Sequence, residues 1–119
     1  MPHGNVDEDA TRTRLGRGLN VCGPLIFAGQ GKDGGLALSV KIEVVVVSSA
    51  EGLPIGLAMP NAVFYDDGTE DQEWMVAVPH FPPGVFDAGP ARVTVFALVQ
   101  LTPPHPNAIE RWSEPVTIA

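Results

Sequence analysis

The sequence is poor in features that tie a chain to an oxidising compartment or a membrane. Cys22 is the only cysteine in 119 residues, so no intramolecular disulfide forms and a disulfide-dense secreted domain is not indicated. The best apolar run, residues 44–47, is far shorter than the roughly 20 residues of a membrane-spanning helix. Residues 1–5 lack the basic and apolar stretches of a secretory signal. We therefore expect no membrane partner and a cytoplasmic or virion location.

Basic residues are also scarce, with seven Lys and Arg against 14 Asp and Glu and a net charge of −7. Such a field repels nucleic acid, so we expect no nucleic-acid partner. Most of the charge comes from residues 61–90, which contain six acidic residues and no basic one.

Long helical patterns are missing as well. No window places apolar residues at i, i+3, i+4 and i+7 over three turns, and 13 Gly and 12 Pro interrupt the chain often. The chain is nevertheless 45% hydrophobic and only 18% charged, which is typical of a globular protein. These values predict one compact domain built from strands and turns.

Two segments alternate in the manner of long strands. In residues 36–47 every second residue is aliphatic, which predicts one buried face made of Leu36, Leu38, Val40, Ile42, Val44 and Val46. From Val45 onward both faces are apolar, which indicates a strand that is covered on both sides or central in its sheet. Residues 91–101 repeat the alternation, with Val93, Val95, Ala97, Val99 and Leu101 on one face.

An acidic turn separates two further strand candidates. Residues 61–65 and 72–78 flank residues 66–71, where the Asp67-Gly68 pair supplies the positive φ angle that a tight turn needs. This pattern predicts a β-hairpin with an acidic tip, whose return strand carries Trp74, Val76 and Val78 on one face.

Three weaker segments complete the set of strands. Residues 111–119 predict a last strand, and Pro115 assigns it to a sheet edge or a bulge because proline donates no ladder hydrogen bond. Residues 21–27 form a shorter candidate, and residues 52–59 add another.

These patterns predict an all-β fold. We expect a two-layer antiparallel β-sandwich of six to seven strands over residues 21–119, with a small closed barrel as the alternative. Residues 1–20 are predicted to be an extended N-terminal arm that another chain holds in place. This arm contains too little apolar surface to hold itself down, because its only large aliphatic side chains are Val6, Leu15 and Leu19.

The end of the chain resembles a known group of domains. Residues 91–101, a Pro-rich loop and the run Trp112-Ser113-Glu114-Pro115-Val116-Thr117 are similar to the final hairpin of fibronectin type III and related immunoglobulin-like domains. The resemblance covers about a quarter of the chain, and no tyrosine precedes the strand that begins near Val93. It implies an immunoglobulin-like sandwich, and it implies binding to partners rather than chemistry.

The acidic tip has three readings. It can be a solvated turn that keeps a sheet edge from pairing with other chains, a docking surface for a basic partner, or an irregular calcium site. A helix-flanked calcium loop is not indicated, because the glycine comes too early and no helices flank the segment. The acidic residues are Asp66, Asp67, Glu70, Asp71 and Glu73.

Other candidate groups have plain structural explanations. Trp74 could stack on a sugar or fill the core, and His80 and His105 could share a metal with Asp87 or be exposed loop residues. Cys22 lacks the electropositive setting of a nucleophile and fits a small buried side chain. Gly-x-Ser-x-Gly, His-Glu-x-x-His and the phosphate-binding Gly-x-x-x-x-Gly-Lys-Ser/Thr are absent. We therefore expect no enzyme, no metal site and no cofactor.

The sequence thus predicts a non-catalytic β-sandwich protein that acts through protein–protein contacts. It would be a structural, accessory or adaptor component of a larger assembly, such as a virion, and a homo-oligomer or part of a complex. The alternative is a carbohydrate- or calcium-binding module that uses the acidic tip and Trp74. The predicted partner-binding residues are Arg12, Arg14, Leu15 and Arg17 in the arm, and Asp66, Asp67, Glu70 and Asp71 in the tip.

Overall fold

The fold consists of strands, as the alternating patterns predict. A computed structural model describes residues 3–27, 37–66 and 72–119, and these residues contain eight β-strands and no helix, hence no helix that could cross a membrane. The all-β prediction is confirmed, with one or two strands more than expected. The strands are β1 (His3–Gly4), β2 (Asp9–Arg12), β3 (Gly18–Ile26), β4 (Ala37–Ser48), β5 (Pro54–Tyr65), β6 (Glu73–Pro79), β7 (Gly89–Leu101) and β8 (Ala108–Ile118).

The strands form two groups of hydrogen-bonded neighbours, which we call ladders, and β2 pairs with a strand of each group. One ladder has the order β8-β7-β4-β5 and is antiparallel throughout. In the other ladder, β3 pairs antiparallel with β6 on one side and with β1 and β2 on the other. β2 also pairs with β8, and this pairing is parallel. The predicted antiparallel arrangement therefore holds for every named strand pair except β2–β8.

β4 has the buried face that its sequence predicts from Val40 onward, but not at Leu38. Val40, Ile42, Val44 and Val46 have no exposed surface. Leu38 was expected on the same face, but this prediction is wrong because its side chain is 42% exposed. A register shift between Ala37 and Ser39 relative to β7 inserts one extra residue there, and a one-residue slip reverses which side of the strand a residue faces.

One hydrophobic core takes buried side chains from both ladders. β4 lies between β5 and β7, which confirms the central position that its two apolar faces predict. The four central residues of β7's predicted face are fully buried, and Leu101 packs partly buried against them. The other ladder and the loops contribute Leu19, Val21, Leu25, Trp74, Val76, Val78 and Phe86.

The predicted hairpin between residues 61–65 and 72–78 is wrong. β5 pairs with β4 and β6 pairs with β3, so the two strands belong to different ladders. β5 lies beside β6 without pairing to it as a ladder, and an isolated bridge joins Gly56 of β5 to His80, the residue that follows β6. The physical reason is that β6 pairs with the equally apolar β3, and side-chain contacts between these two strands stabilise the pairing. The two strands are distant in the chain, so the turn residues next to β6 do not indicate this partner. The candidates 52–59 and 61–65 form the single strand β5.

Residues 3–12 pair with their own chain rather than extending from it as an arm. They run antiparallel along β3, and the amide of Asp7 donates to the carbonyl of Cys22. The predicted boundary at residue 20 falls inside β3. Main-chain hydrogen bonds hold this segment, and the small Ala10 is buried together with Val6. A count of large aliphatic residues measures neither effect.

The last strand is longer than predicted. β8 begins at Ala108, and its outer edge pairs with β2 only at Thr117 and Ile118. Pro115 therefore lies in the unpaired part of this edge, where its missing N–H leaves no ladder bond unmade.

Gly23 allows the first segment to cross the inner side of β3. A side-chain carbon at this position would overlap the carbonyl of Asn5 and touch the main chain of Val6. The same Asn5 carbonyl accepts a hydrogen bond from the indole nitrogen of Trp74 at 2.9 Å. The glycine thus fixes how closely the first segment approaches the core.

We expect Gly23→Ala to lower the free energy of unfolding by about 2 kcal/mol, the middle of the range for an overpacked core. Urea unfolding followed by tryptophan fluorescence measures this change. Asn20→Ala, an exposed site on the same strand, is the matched control and should change stability by less than about 0.5 kcal/mol. Equal stabilities of the two variants would contradict the close approach.

Candidate functional site

The predicted partner-binding residues of the arm lie at the end of β2 and in the turn that follows it. Arg12 is bound internally, since its main-chain and side-chain nitrogens donate to the carbonyl of Ala119 at 3.1 and 3.3 Å and a guanidinium nitrogen lies 3.4 Å from the carbonyl of Phe86. Arg14, Leu15 and Arg17 lie in the turn between β2 and β3 and are exposed, Leu15 by 70%.

Only part of the acidic tip lies within the described residues. Asp66 follows the end of β5 and is exposed, whereas Asp67, Glu70 and Asp71 lie outside the described residues. Asp66 and the arm turn sit at opposite ends of β5, because Arg17 accepts a hydrogen bond from His80, which bridges to Gly56 near the start of that strand. The structure therefore does not bring the arm turn and Asp66 together.

The two histidines are also far apart. His80 precedes β7 and His105 follows it, and 13 residues of strand span about 40 Å. The ring of His80 packs edge-on against Phe86, and its Nδ1 lies 2.6 Å from the carbonyl of Pro82. Within the three described ranges no group of three or more His, Cys, Asp or Glu side chains converges. The hypothesis of a metal shared by His80, His105 and Asp87 is therefore wrong.

Both tryptophans belong to the core. Trp74 has no exposed surface and Trp112 has only 8%. A ring that stacks on a sugar must present an open face, so Trp74 does not serve as a sugar platform. The interpretation of the tryptophans as core side chains is confirmed.

Cys22 lies in an environment that favours the neutral thiol. Its sulfur donates a hydrogen bond to a carboxylate oxygen of Asp7 at 3.3 Å. Burial raises the pKa of the Cys22 thiol, and the hydrogen bond to Asp7 and the negative charges of Asp7 and Glu73 raise it further. A nucleophilic cysteine needs the opposite, a lowered pKa beside positive charge.

A surface that the sequence analysis did not single out lies on the ladder β5-β4-β7-β8, on the side away from the core. We call it the outer face. Cross-strand register places Val45 beside Leu57 and Thr94, and it places Leu98 beside Lys41 and Ile109. No other described strand packs over this side. Its apolar members are Val45, Val47, Leu57, Val63, Phe96 and Leu98, all partly exposed, and Ile109, which is 71% exposed.

The outer face differs in charge from the rest of the chain. It contains three cationic side chains and one anionic one, a net charge of +2 on a chain of −7. The hydroxyl of Ser113 bonds to Arg92 and to Thr94, each at 3.0 Å, so the polar groups at one end of the face are satisfied internally. The charged residues are Lys41, Glu43, Arg92 and Arg111.

One pattern in the sequence does report this face. From Val45 onward the second side of β4 is apolar, which indicates that something packs over this side. β5 and β7 pair with the two edges of β4 and do not lie over its side. The outward residues Phe96 and Leu98 extend the same side across β7. The sequence alone does not show that these positions lie side by side.

Asp7→Asn should lower the pKa of Cys22 and speed its alkylation by iodoacetamide near neutral pH, because it removes a negative charge beside the sulfur. Glu51→Gln, far from Cys22 in the chain, is the control and should leave the rate unchanged.

The raised pKa of Cys22 also makes stability depend on pH. The thiol's contribution to the free energy of unfolding is fully present below the ordinary thiol pKa of 9.0 and is lost as pH rises through the raised pKa of the folded state. Cys22→Ala should therefore lose less stability than the native chain in that interval, as urea unfolding measures. An alkylation rate unaffected by Asp7→Asn would contradict this assignment.

Comparison with known proteins identifies no family for this chain. The chain matches no model of a known protein family, and no curated protein matches it significantly.

Proposed function

We propose that this chain is a non-catalytic β-sandwich protein that acts through contacts with other proteins, as a structural, accessory or adaptor component of a larger assembly. The division of the strands into two ladders that share one core supports a two-layer arrangement. The immunoglobulin-like arrangement is supported by the first segment, which pairs with β3 at one end and with β8 at the other. A virion or a cytoplasmic complex is a setting that suits such a component.

The outer face carries this proposal. Monomeric proteins rarely leave contiguous apolar patches of several hundred Å² uncovered, and such patches mark interaction surfaces. Here the outward side of a four-stranded ladder presents aliphatic side chains and the ring of Phe96 among polar and charged residues, and Ile109 is the most exposed of its apolar members. Charged side chains lie on this face as well, since Glu43 and Arg111 flank Phe96 across the strands and Lys41 flanks Leu98, so a partner would pair with these charges and cover the apolar residues.

The size of the outer face suits a protein partner. Four strands spaced at about 4.8 Å and five alternating positions along each give a projected area of the order of 500 Å². Side-chain relief raises the contact area towards the roughly 800 Å² per partner of a standard interface. A small-molecule ligand would leave most of this surface exposed.

The predicted partner residues enter the proposal unequally. Arg14, Leu15 and Arg17 form an exposed turn suited to a secondary contact, whereas Arg12 is engaged with Ala119 and contributes to stability instead. The carbohydrate alternative loses its platform with the burial of Trp74. Calcium binding by the acidic tip stays a prediction, because most of that tip lies outside the described residues.

We expect the purified chain to associate through the outer face, with a mass above 12.6 kDa in light scattering over a concentration series. Phe96→Glu should weaken that association by tenfold or more, a loss of about 1.4 kcal/mol, because it removes the largest apolar side chain of the outer face and replaces it with a carboxylate that must lose its hydration in the contact. Asn20→Glu on the other ladder is the matched control and should leave the contact made by the outer face unchanged.

Thermal unfolding of both variants confirms that each remains folded. A chain whose association does not respond to Phe96→Glu, or that stays monomeric at every concentration, would contradict this use of the outer face.

A further inference from the structure

A cavity of about 480 Å³ lies at the end of the fold where β5 begins and β6 ends. It is lined by the turn between β4 and β5, by the start of β5 and by the segment between β6 and β7. Its volume falls within the roughly 300–1,000 Å³ of small-molecule sites. None of the residues that define the outer face lines it, so the cavity is a separate feature of the surface.

Main-chain hydrogen bonds hold the walls of the cavity. In the turn between β4 and β5, the amide of Gly52 donates to the carbonyl of Ser48 at 2.8 Å, and the amide of Ser48 donates to the carbonyl of Leu53 at 2.9 Å. On the other side, the amide of Phe81 donates to the carbonyl of Ile55 at 2.9 Å. Walls fixed in this way need little ordering when a ligand binds.

His80, which lines the cavity, supplies a hydrogen-bond acceptor. Its Nδ1 donates to the carbonyl of Pro82 at 2.6 Å, and a side-chain carbon at Gly84 would lie 3.0 Å from the same nitrogen, so this edge of the ring is covered by its own loop. The edge-on contact with Phe86 fixes the ring. Because a carbonyl can only accept, the proton of the neutral imidazole is on Nδ1 and Nε2 keeps its lone pair. Among the described residues nothing donates to Nε2, which leaves it for a ligand.

The charged side chains along the cavity are acidic. Glu51 and Asp87 line it, and no lysine or arginine is among its described lining residues. Together with His80 they do not form a metal-holding group, since no such group of three occurs in the part of the chain that the structure describes. They are acceptors that stand apart along the walls, on a chain whose net charge of −7 attracts cations. An organic cation can span such acceptors, whereas a single metal ion cannot.

Much of the remaining lining is apolar. Leu53 and Val85 are exposed by 58% and 55%, and Ile55 lies beside them in the same cavity. Apolar walls with a few polar groups are typical of sites for small organic molecules. A cavity of about 150 Å³ already holds a benzene molecule. The larger cavity here therefore suits a body bulkier than the four-carbon stem of a lysine side chain.

We propose that this cavity binds an organic ammonium ion with an apolar, ring-containing body. The ammonium group would donate to Nε2 of His80 and to the carboxylates of Glu51 and Asp87, and the body would pack against Leu53 and Val85. Charge-assisted hydrogen bonds to the carboxylates select a positive ligand. The site goes beyond the proposed assembly function and does not depend on it, because the outer face takes no part in it.

Tryptammonium is the probe for this site, and tryptophol, which has the same body with a hydroxyl in place of the ammonium, is its neutral control. Titration of the ¹⁵N-labelled chain at neutral pH and low salt, followed by amide chemical shifts, should give a Kd on the order of millimolar for tryptammonium, which is ordinary for a ligand of this size. The shifts should be confined to residues 48–55 and 80–90. Tryptophol should bind about fivefold more weakly, because it lacks the charge.

Substitution of the carboxylates tests the same site from the protein side. The double variant Glu51→Gln and Asp87→Asn should weaken tryptammonium binding about fivefold and bring it close to that of tryptophol, because it removes the charges and keeps the shape. Glu73→Gln, at the far end of β6, is the matched control and should leave the Kd unchanged. Thermal unfolding confirms that the variants fold.

Three results would overturn the site: no saturable shifts in residues 48–55 and 80–90, equal affinities for tryptammonium and tryptophol, or equal effects of the double variant and Glu73→Gln. A lysine analogue, Nα-acetyl-lysine N-methylamide, that binds as tightly as tryptammonium would overturn it too, since the cavity would then suit a side chain of a partner rather than a free ligand. Phe96→Glu should leave tryptammonium binding unchanged, and the double variant should leave association through the outer face unchanged. Failure of one proposal is therefore distinct from failure of the other.

Discussion

The double pairing of the first segment holds this fold together. Residues 3–12 bond along β3, as in the hydrogen bond from Asp7 to Cys22, and the same segment accepts a bond from Thr117 at the carbonyl of Glu8. One short stretch of backbone thus joins two ladders that share a core. The glycine at position 23, the buried indole of Trp74 and the tie between Arg12 and Ala119 all depend on where this segment runs.

The chemistry of the described residues lies in burial and main-chain pairing rather than in polar side chains. Within the described ranges no cluster of titratable groups that could hold a metal occurs, and burial and Asp7 raise the pKa of the Cys22 thiol. What distinguishes the molecule is apolar surface left uncovered. On the outer face, partly exposed apolar side chains from four strands lie beside one another.

The strands that alternate over long stretches could be predicted from the sequence, because a period of two follows from strand geometry itself. β4 and β7 have the buried faces expected of them, and the central place of β4 follows from its two apolar sides. Leu38 departs from the pattern because a bulge reverses the phase, and a bulge depends on the partner strand. Of the outer face, only the apolar second side of β4 from Val45 onward could be predicted, because the residues that lie beside it come from strands distant in the chain.

By itself, the sequence determined the all-β class, the identity of the two longest strands and their inward faces, since these depend on local alternation and composition. Only the tertiary structure decided that β5 and β6 part into different ladders, that residues 3–12 belong to the sheet, and that Val45, Phe96 and Ile109 share one surface. The physical reason is that strand pairing is a long-range choice. Its energy comes from burying one strand against another distant in the chain, and no short window of residues contains both partners.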